Sequence, residues 1–225
     1  MLLERKNIII TADDFGASEK ANQRILELAK LGKIDRVAVM TDGFFSQSDI
    51  PNLLNTEVKL DVHLDLFGGI QEQGKSVVIR LAKFLFGWIS SNGRSKNVEI
   101  DWERQIEKFK TILGKYPDGL NSHQHIHFFP PYFKITLKLA KKFNISYFRY
   151  GHFLIAEKFS LVFWMLKFLR IFINKSFASS GLKTSQYLVS FEWISGPEKF
   201  LENKKDVELV CHPEKDGGFE EIKSL

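Results

Sequence analysis

The segment Ser122-His123-Gln124-His125-Ile126-His127 sets three imidazoles at alternate positions. In an extended strand, alternate side chains share a face, so His123, His125 and His127 are expected to point the same way. Three rings on one face pack poorly, because each buried ring nitrogen needs a partner. Metal binding is the common use of clustered histidine; the bland alternative is a polar strand end with satisfied rings. Asp13 and Asp14 are adjacent, so an extended chain points them apart. One can bind a metal while the other faces a reacting water. The pair repels unless a cation or hydrogen bonds compensate, and the plain alternative is a turn or cap before a helix. His63 lies on the polar side of an alternating run and supplies the second nitrogen that a His-His-Asp site needs, although a lone histidine there is more often structural. His212 is followed by Pro213, which takes the chain out of a strand and fixes the ring at its lip; an ordinary turn histidine would look the same. Two histidines and one carboxylate leave coordination positions open, as catalytic sites do. Such a metal acidifies water and polarises a carbonyl. Oxygen-activating iron enzymes use the same ligand set, mostly on antiparallel barrels.

The elements that must position these residues follow from periodicity. Residues 6–11 and 35–40 read as strands. Between them Ser18 is placed to cap a helix with Ala21, Ile25, Leu28 and Ala29 on one face and Gly32 beyond its end. A weak helix is expected at 48–54. Residues 59–66 alternate, with Leu60, Val62, Leu64 and Leu66 on one side and Asp61, His63 and Asp65 on the other. Helices are expected at 77–89, 101–113 and 132–143, and strands at 120–128, 147–149 and 207–211. Pro130-Pro131 stops the fourth strand. Strands alternating with helices argue for a parallel sheet, open or closed into a barrel. In such folds sites assemble at the C-terminal ends of strands, which is where Asp13, Asp14, His63, the 123–127 histidines and His212 fall.

The chain has 225 residues and reads as a single α/β domain over 1–225. Its one cysteine, Cys211, excludes an internal disulfide and a cysteine-based zinc site. No signal peptide is recognisable before the first strand, which points to a cytoplasmic protein. The net charge is +5, of which +4 comes from an apolar, basic insertion at about 153–183; the remainder is near neutral, so a nucleic-acid-binding surface is not expected. Within the insertion, residues 157–174 read as a strongly apolar helix whose polar positions, Ser160, Lys167, Arg170 and Asn174, form one narrow stripe. It is short for a membrane span and carries two cations. It fits a helix in the core, in a homodimer interface, or lying on a membrane surface with its cations toward anionic lipid.

Four blocks carry a resemblance: Thr11-Ala12-Asp13-Asp14-Phe15-Gly16, Val62-His63-Leu64, Ser122-His123-Gln124-His125-Ile126-His127-Phe128-Phe129-Pro130, and Cys211-His212-Pro213. In order and spacing they resemble the YdjC-like carbohydrate deacetylases (the ChbG/HpnK type), from about residue 7 to 214. The resemblance implies a distorted, TIM-barrel-like (β/α) barrel related to other polysaccharide deacetylases. It implies one divalent metal ion held by Asp14, His63 and His123, with zinc or magnesium foremost and nickel, cobalt or manganese as alternatives. By the same resemblance Asp13 is the general base, His212 the general acid, and His125, His127 and Arg149 line the pocket. The substrate implied is an N-acetylated sugar: an N-acetylhexosamine, an oligosaccharide or a lipid-linked glycan, the last fitting a cytoplasmic protein peripheral to the inner face of the membrane. The chain departs from the family pattern at Asn121, where aspartate is usual, and at Gly119 and Asp65. Residues 217–225 read as a shortened remnant of a longer ending. Two competing functions are a catalytically degenerate sugar-binding protein of the same fold and a peripheral membrane or assembly component.

Overall fold

The computed structural model describes residues 8–66, 94–154, 157–158, 160–195 and 205–225. The isoleucine run opens β1 (Ile8–Phe15), which continues through both aspartates. Ser18 accepts a hydrogen bond from the Ala21 N–H and caps α1 (Glu19–Lys30), so one donor of the first turn is satisfied. There follow β2 (Arg36–Val39), α2 (Asp49–Leu54), β3 (Lys59–Leu64), α3 (Arg94–Leu113), β4 (Gly119–Ser122), α4 (Pro130–Lys142), β5 (Tyr147–Phe148), β6 (His152–Phe153), α5 (Leu161–Ala178), β7 (Tyr187–Ser190), β8 (Val207–Cys211) and α6 (Asp216–Ser224). The helix expected at 77–89 lies outside the described residues. The short strands β6 and β7 were not foreseen. Residues 217–225, read as a remnant, fall largely in α6, which packs against α1 through Lys223–Glu27 and Arg24–Asp216 ion pairs.

Every ladder is parallel, in the order β5-β4-β3-β2-β1-β8-β7-β6. The two edge strands belong to one run of chain, residues 147–153. The Arg149 N–H donates to Leu120 O on β4, and the His152 N–H donates to Gln186 O beside β7. Both edges of the sheet thus meet on the same run. The sheet curls into a distorted, TIM-barrel-like (β/α) barrel, as expected, with the helices outside.

Period-two alternation sorts the strand residues. Ile10, Ala12, Val37, Val39, Leu60, Val62, Leu120 and Leu209 join the apolar core with Trp102, Ile106 and Phe109 of α3 and Phe133 and Leu139 of α4. The alternate positions, Thr11, Asp13, Arg36, Asp61, His63, Asn121 and Glu208, are buried too and form a polar network within the sheet's other face. Arg36 makes a two-pronged ion pair with Asp61 and lies over the Tyr147 ring at 4.1 Å. Arg149 donates to Asp13 at 2.7 and 2.8 Å and to Glu208 at 2.7 Å. Glu208 also accepts hydrogen bonds from the Thr11 and Tyr147 hydroxyls.

Gly119, one of the departures from the family pattern, faces Asp61 in the β3–β4 ladder. A Cβ there would stand 2.5 Å from Asp61 Oδ1 and 2.6 Å from Arg36 Nη2. Any side chain at 119 must displace the buried pair. Gly119→Ala is therefore expected to lower the unfolding free energy by at least about 1–3 kcal/mol, and by more if the pair separates. Urea denaturation measures it; a loss below about 0.5 kcal/mol, the scale of an ordinary surface substitution, would mean that the pair moves aside freely.

Candidate metal centre

Asp14, one residue before the end of the first strand, has φ 68°, in the left-handed region that non-glycine residues seldom adopt. The next turn holds it there. Gly16 has φ 105°, and a Cβ at that position would meet Met40 O at 2.8 Å. Its N–H donates to Asn22 Oδ1 at 2.6 Å, and Asn22 in turn donates to Asp49 Oδ2 and Phe44 O. This lattice fixes where the Asp14 carboxylate sits.

Two imidazoles converge on one oxygen of that carboxylate. His123 Nδ1 lies 2.9 Å and His63 Nε2 3.1 Å from Asp14 Oδ1. Three donor atoms, one from each residue, lie within 4.8 Å of one another, and all three residues are at most slightly exposed. The tautomer of His63 decides what this geometry means. Its Nδ1–H donates to Asn121 Oδ1 at 2.5 Å, which leaves Nε2 with a lone pair. That buried Nε2 has no hydrogen-bond partner and looks at a carboxylate oxygen. Two lone pairs aimed at each other need a cation between them. The mixed nitrogen and oxygen donor set suits a divalent ion, and the group could hold one. Burial opposes ionisation of Asp14, but the charge and hydrogen bond of His123 hold its carboxyl well below the usual range.

His212 stands on the other side of Asp14, with Nε2 4.0 Å from Oδ2. Its Nδ1–H donates to Glu192 Oε1 at 2.7 Å. Burial lowers its pKa, but the Glu192 hydrogen bond and charge outweigh burial and raise it to about 9. Its side chain is 22% exposed, so the ring is reachable from outside. Asp13 pairs with Arg149. Burial raises its pKa, and Arg149 more than reverses that, so the carboxylate is held ionised.

The three-histidine strand is corrected. β4 stops at Ser122, the last residue paired with β3, and His123–Phe128 winds into a 3₁₀ turn interrupted by Gln124 and His125, both at φ 55°. Among the described residues nothing beyond Ser122 has a ladder partner, and the Ser122 hydroxyl closes the turn instead. It accepts from the His127 N–H at 3.0 Å and donates to His127 Nδ1 at 2.6 Å. The three rings therefore do not share one strand face. His123 faces Asp14. His127 is enclosed, with Nε2–H donating to Arg149 O at 3.0 Å; burial and the nearby His125 keep it neutral. His125 is half-buried between His127 and Trp193, and burial lowers its pKa to about 3. Arg149, like His127, has no exposed surface, and its guanidinium is taken up by Asp13 and Glu208. Neither lies open to a ligand, unlike the pocket-lining place expected for them.

Sequence reasoning missed Glu192, Glu208 and Ser122. Glu208 did leave a signal: a lone carboxylate between Val207 and Leu209 in a buried strand needs an interior cation. Glu192 left none, because it follows the unrecognised strand β7.

Isothermal titration is expected to find one divalent ion per chain, with Asp14→Asn and His63→Ala each weakening binding by at least about 100-fold. Restoring a charged partner for His63 with Asn121→Asp is expected to tighten binding by about 10-fold or more, the usual scale for such supporting groups. Equal affinity in wild type and Asp14→Asn would move the ion elsewhere.

The family model described as YdjC-like protein matches residues 7–221. A carbohydrate deacetylase of Halalkalibacterium halodurans is 27% identical over 224 residues, covering 92% of this chain and 84% of that protein. A carbohydrate deacetylase of Danio rerio is 24% identical over 152 residues, 63% of this chain, and the match spans only 49% of that longer relative. Among solved structures, a protein of Enterococcus faecalis described as a cellobiose-phosphate cleavage protein superposes with a TM-score of 0.59 at 18% identity, covering 92% of this chain and 80% of that one. That likeness concerns the fold, a curled parallel sheet with helices around it. A match running from β1 through α6 makes the chain a member of the YdjC-like protein family.

Proposed function

We propose that the chain is a metal-dependent hydrolase that removes the acetyl group from an N-acetylated sugar. One observation carries this reading: a His-His-Asp donor set with an unpartnered nitrogen faces, across Asp14, a histidine held protonated by Glu192. On this reading a Lewis acid would stand beside a proton donor, the pair of functions that amide hydrolysis needs. The carbohydrate deacetylases among the relatives support the choice of an acetamide on a sugar.

A divalent ion bound to Asp14, His63 and His123 supplies a Lewis acid that acidifies water and polarises the acetamide carbonyl. Zinc or magnesium is proposed first, with nickel, cobalt and manganese compatible with the same donors. Asp13 takes the proton of the attacking water. Each of its oxygens gives one lone pair to Arg149 and keeps another for that proton. His212 gives its Nε2 proton to the leaving amine, while Glu192 fixes the ring through Nδ1. Acetate and a free amino sugar result. His125, with a partly buried neutral ring, lines the substrate side. His127 and Arg149 act from behind, one by closing the 123–128 turn and the other by orienting Asp13. The competing reading, a sugar-binding protein without turnover, draws on Asn121, which supports His63 without a charge; turnover separates the two.

With metal restored, wild type is expected to release acetate from N-acetylglucosamine or its disaccharide, and His123→Ala to release none. Absence of acetate from a folded, metal-loaded protein across such a panel would favour the binding protein. Glu192→Gln is expected to lower kcat by about 10- to 100-fold, part of the usual contribution of a placed general acid, with KM little changed. Glu192→Asp should recover some of it. A change confined to KM would assign Glu192 to substrate binding instead.

A further inference from the structure

Helix α5 splits the narrow polar stripe read from its sequence. Arg170 turns inward and is partly buried, and Asn174, though exposed, is held to the body of the protein from the same side. The Arg170 guanidinium donates to Tyr150 O and Gly151 O and lies 4.3 Å over the Tyr150 ring. Asn174 Oδ1 accepts from the Tyr150 hydroxyl at 2.6 Å. With Phe163, Leu166, Leu169 and Ile173 buried on the same side, the helix is clamped and cannot roll. Its free side is therefore apolar: Leu161, Trp164, Phe168, Ile171 and Phe172 are 50–67% exposed. They make up half of the large apolar side chains exposed among the described residues, so the face is a patch rather than scatter.

We propose that this face of α5 seats on an anionic lipid surface, and that the acetylated sugar reaches the site from that surface. The first half stands alone; the second rests on the deacetylase reading. Charge selects lipid over a second copy of the chain. Lys167 and Lys175 are exposed among the apolar side chains, Lys158 and Lys183 flank the helix, and no acidic residue occurs from Leu161 to Ala178. The nearest acid before the helix, Glu157, accepts a hydrogen bond from the Ser195 N–H. Pairing two such faces would bring lysines together with no carboxylate on either helix to meet them, whereas anionic headgroups neutralise every one. Lys167 Nζ lies 5.1 Å over the Trp164 ring, the arrangement of cation and aromatic ring that suits the headgroup layer. Among the described residues no helix is long and apolar enough to cross a membrane, so α5 would lie along the surface.

The face also adjoins the site. α5 packs against the 123–128 turn. From Trp164, ring contacts run to Phe163 at 5.4 Å, on to Trp193 at 5.5 Å, and on to His125 at 6.3 Å. A sugar tethered in the lipid beneath Trp164 is three ring contacts from the half-buried histidine assigned to the substrate side.

Flotation of the full chain with phosphatidylcholine vesicles, with and without phosphatidylglycerol, tests the docking. Wild type is expected to float with the anionic vesicles, weakly with neutral ones, and less at high salt. Phe168→Ser/Ile171→Ser and Lys167→Glu/Lys175→Glu should each lose roughly tenfold or more of that binding, while keeping acetate release from a soluble N-acetylated disaccharide, which also shows that they fold. No flotation of wild type, or flotation untouched in both variants, overturns the proposal. So does a wild type that is dimeric by light scattering, becomes monomeric in Phe168→Ser/Ile171→Ser and ignores vesicles, since that gives the face to a second copy. For the substrate half, an N-acetylglucosaminyl glycolipid in the anionic vesicles should release acetate faster with wild type than with either variant. Equal rates overturn that half. If the protein floats but releases acetate from neither glycolipid nor disaccharide, the deacetylase reading fails and takes the substrate half with it, while the docking stands.

Discussion

The contact on which the rest depends is the Arg149 guanidinium, held between Asp13 on β1 and Glu208 on β8 with no exposure to solvent. Arg149 belongs to the run of chain where both edges of the sheet meet, so this one group ties the closure of the barrel to the strand that carries the aspartates. A buried guanidinium is tolerable only if fully paired, and removing one partner leaves a charge that water cannot reach. Arg36 and Asp61 repeat the device lower in the barrel, and Gly119 is small because that pair occupies the space. Asp13, Asp14, Asp61 and Glu208 set four carboxylates against the two guanidiniums in this buried region. The formal excess is two negative charges, and Asp14 is the carboxylate left with imidazoles alone.

Much of this was legible in the sequence where the signal is local. The alternation over residues 59–66 assigned Leu60, Val62 and Leu64 to one face and Asp61 and His63 to the other, and the core follows it. Ser18 was readable as a cap because its neighbours set the helical period. The three-histidine strand failed because period two was carried past the last residue that has a ladder partner. Nothing in Gln124 or His125 announces a φ of 55°; the turn is imposed by Ser122 clasping His127, a contact closed only once the strand stops. Arg149 was noticed, but its partners lie 136 and 59 residues away, and no local pattern encodes a separation of that kind.

Helix α5 shows the same limit from the other direction. Its cations were legible only as part of one narrow polar stripe, and charge is costly to bury. Arg170 escapes that cost because Tyr150 and Gly151 offer carbonyls and a ring at the one place where β5 passes into β6. The irregularity that breaks the edge strand is what frees those carbonyls. The closure of the barrel and the outward turn of an apolar helix face thus share a cause.

The site itself separates two histidines by the partner given to each Nδ1–H. His63 donates to the neutral amide of Asn121, which fixes the tautomer and adds no charge, so that Nε2 is left as a lone pair for a cation. His212 donates to the carboxylate of Glu192, which favours the imidazolium and lifts its pKa to about 9. A ligand must be deprotonated and a general acid must hold its proton. Both rings border the same aspartate, so Asp14 cannot be what divides them. The division lies in the amide on β4 and the carboxylate after β7, each acting on the ring nitrogen turned away from the chemistry. Replacing the Glu192 carboxylate by an amide would remove the charge that favours the His212 imidazolium and press that ring toward the wrong protonation state for a proton donor.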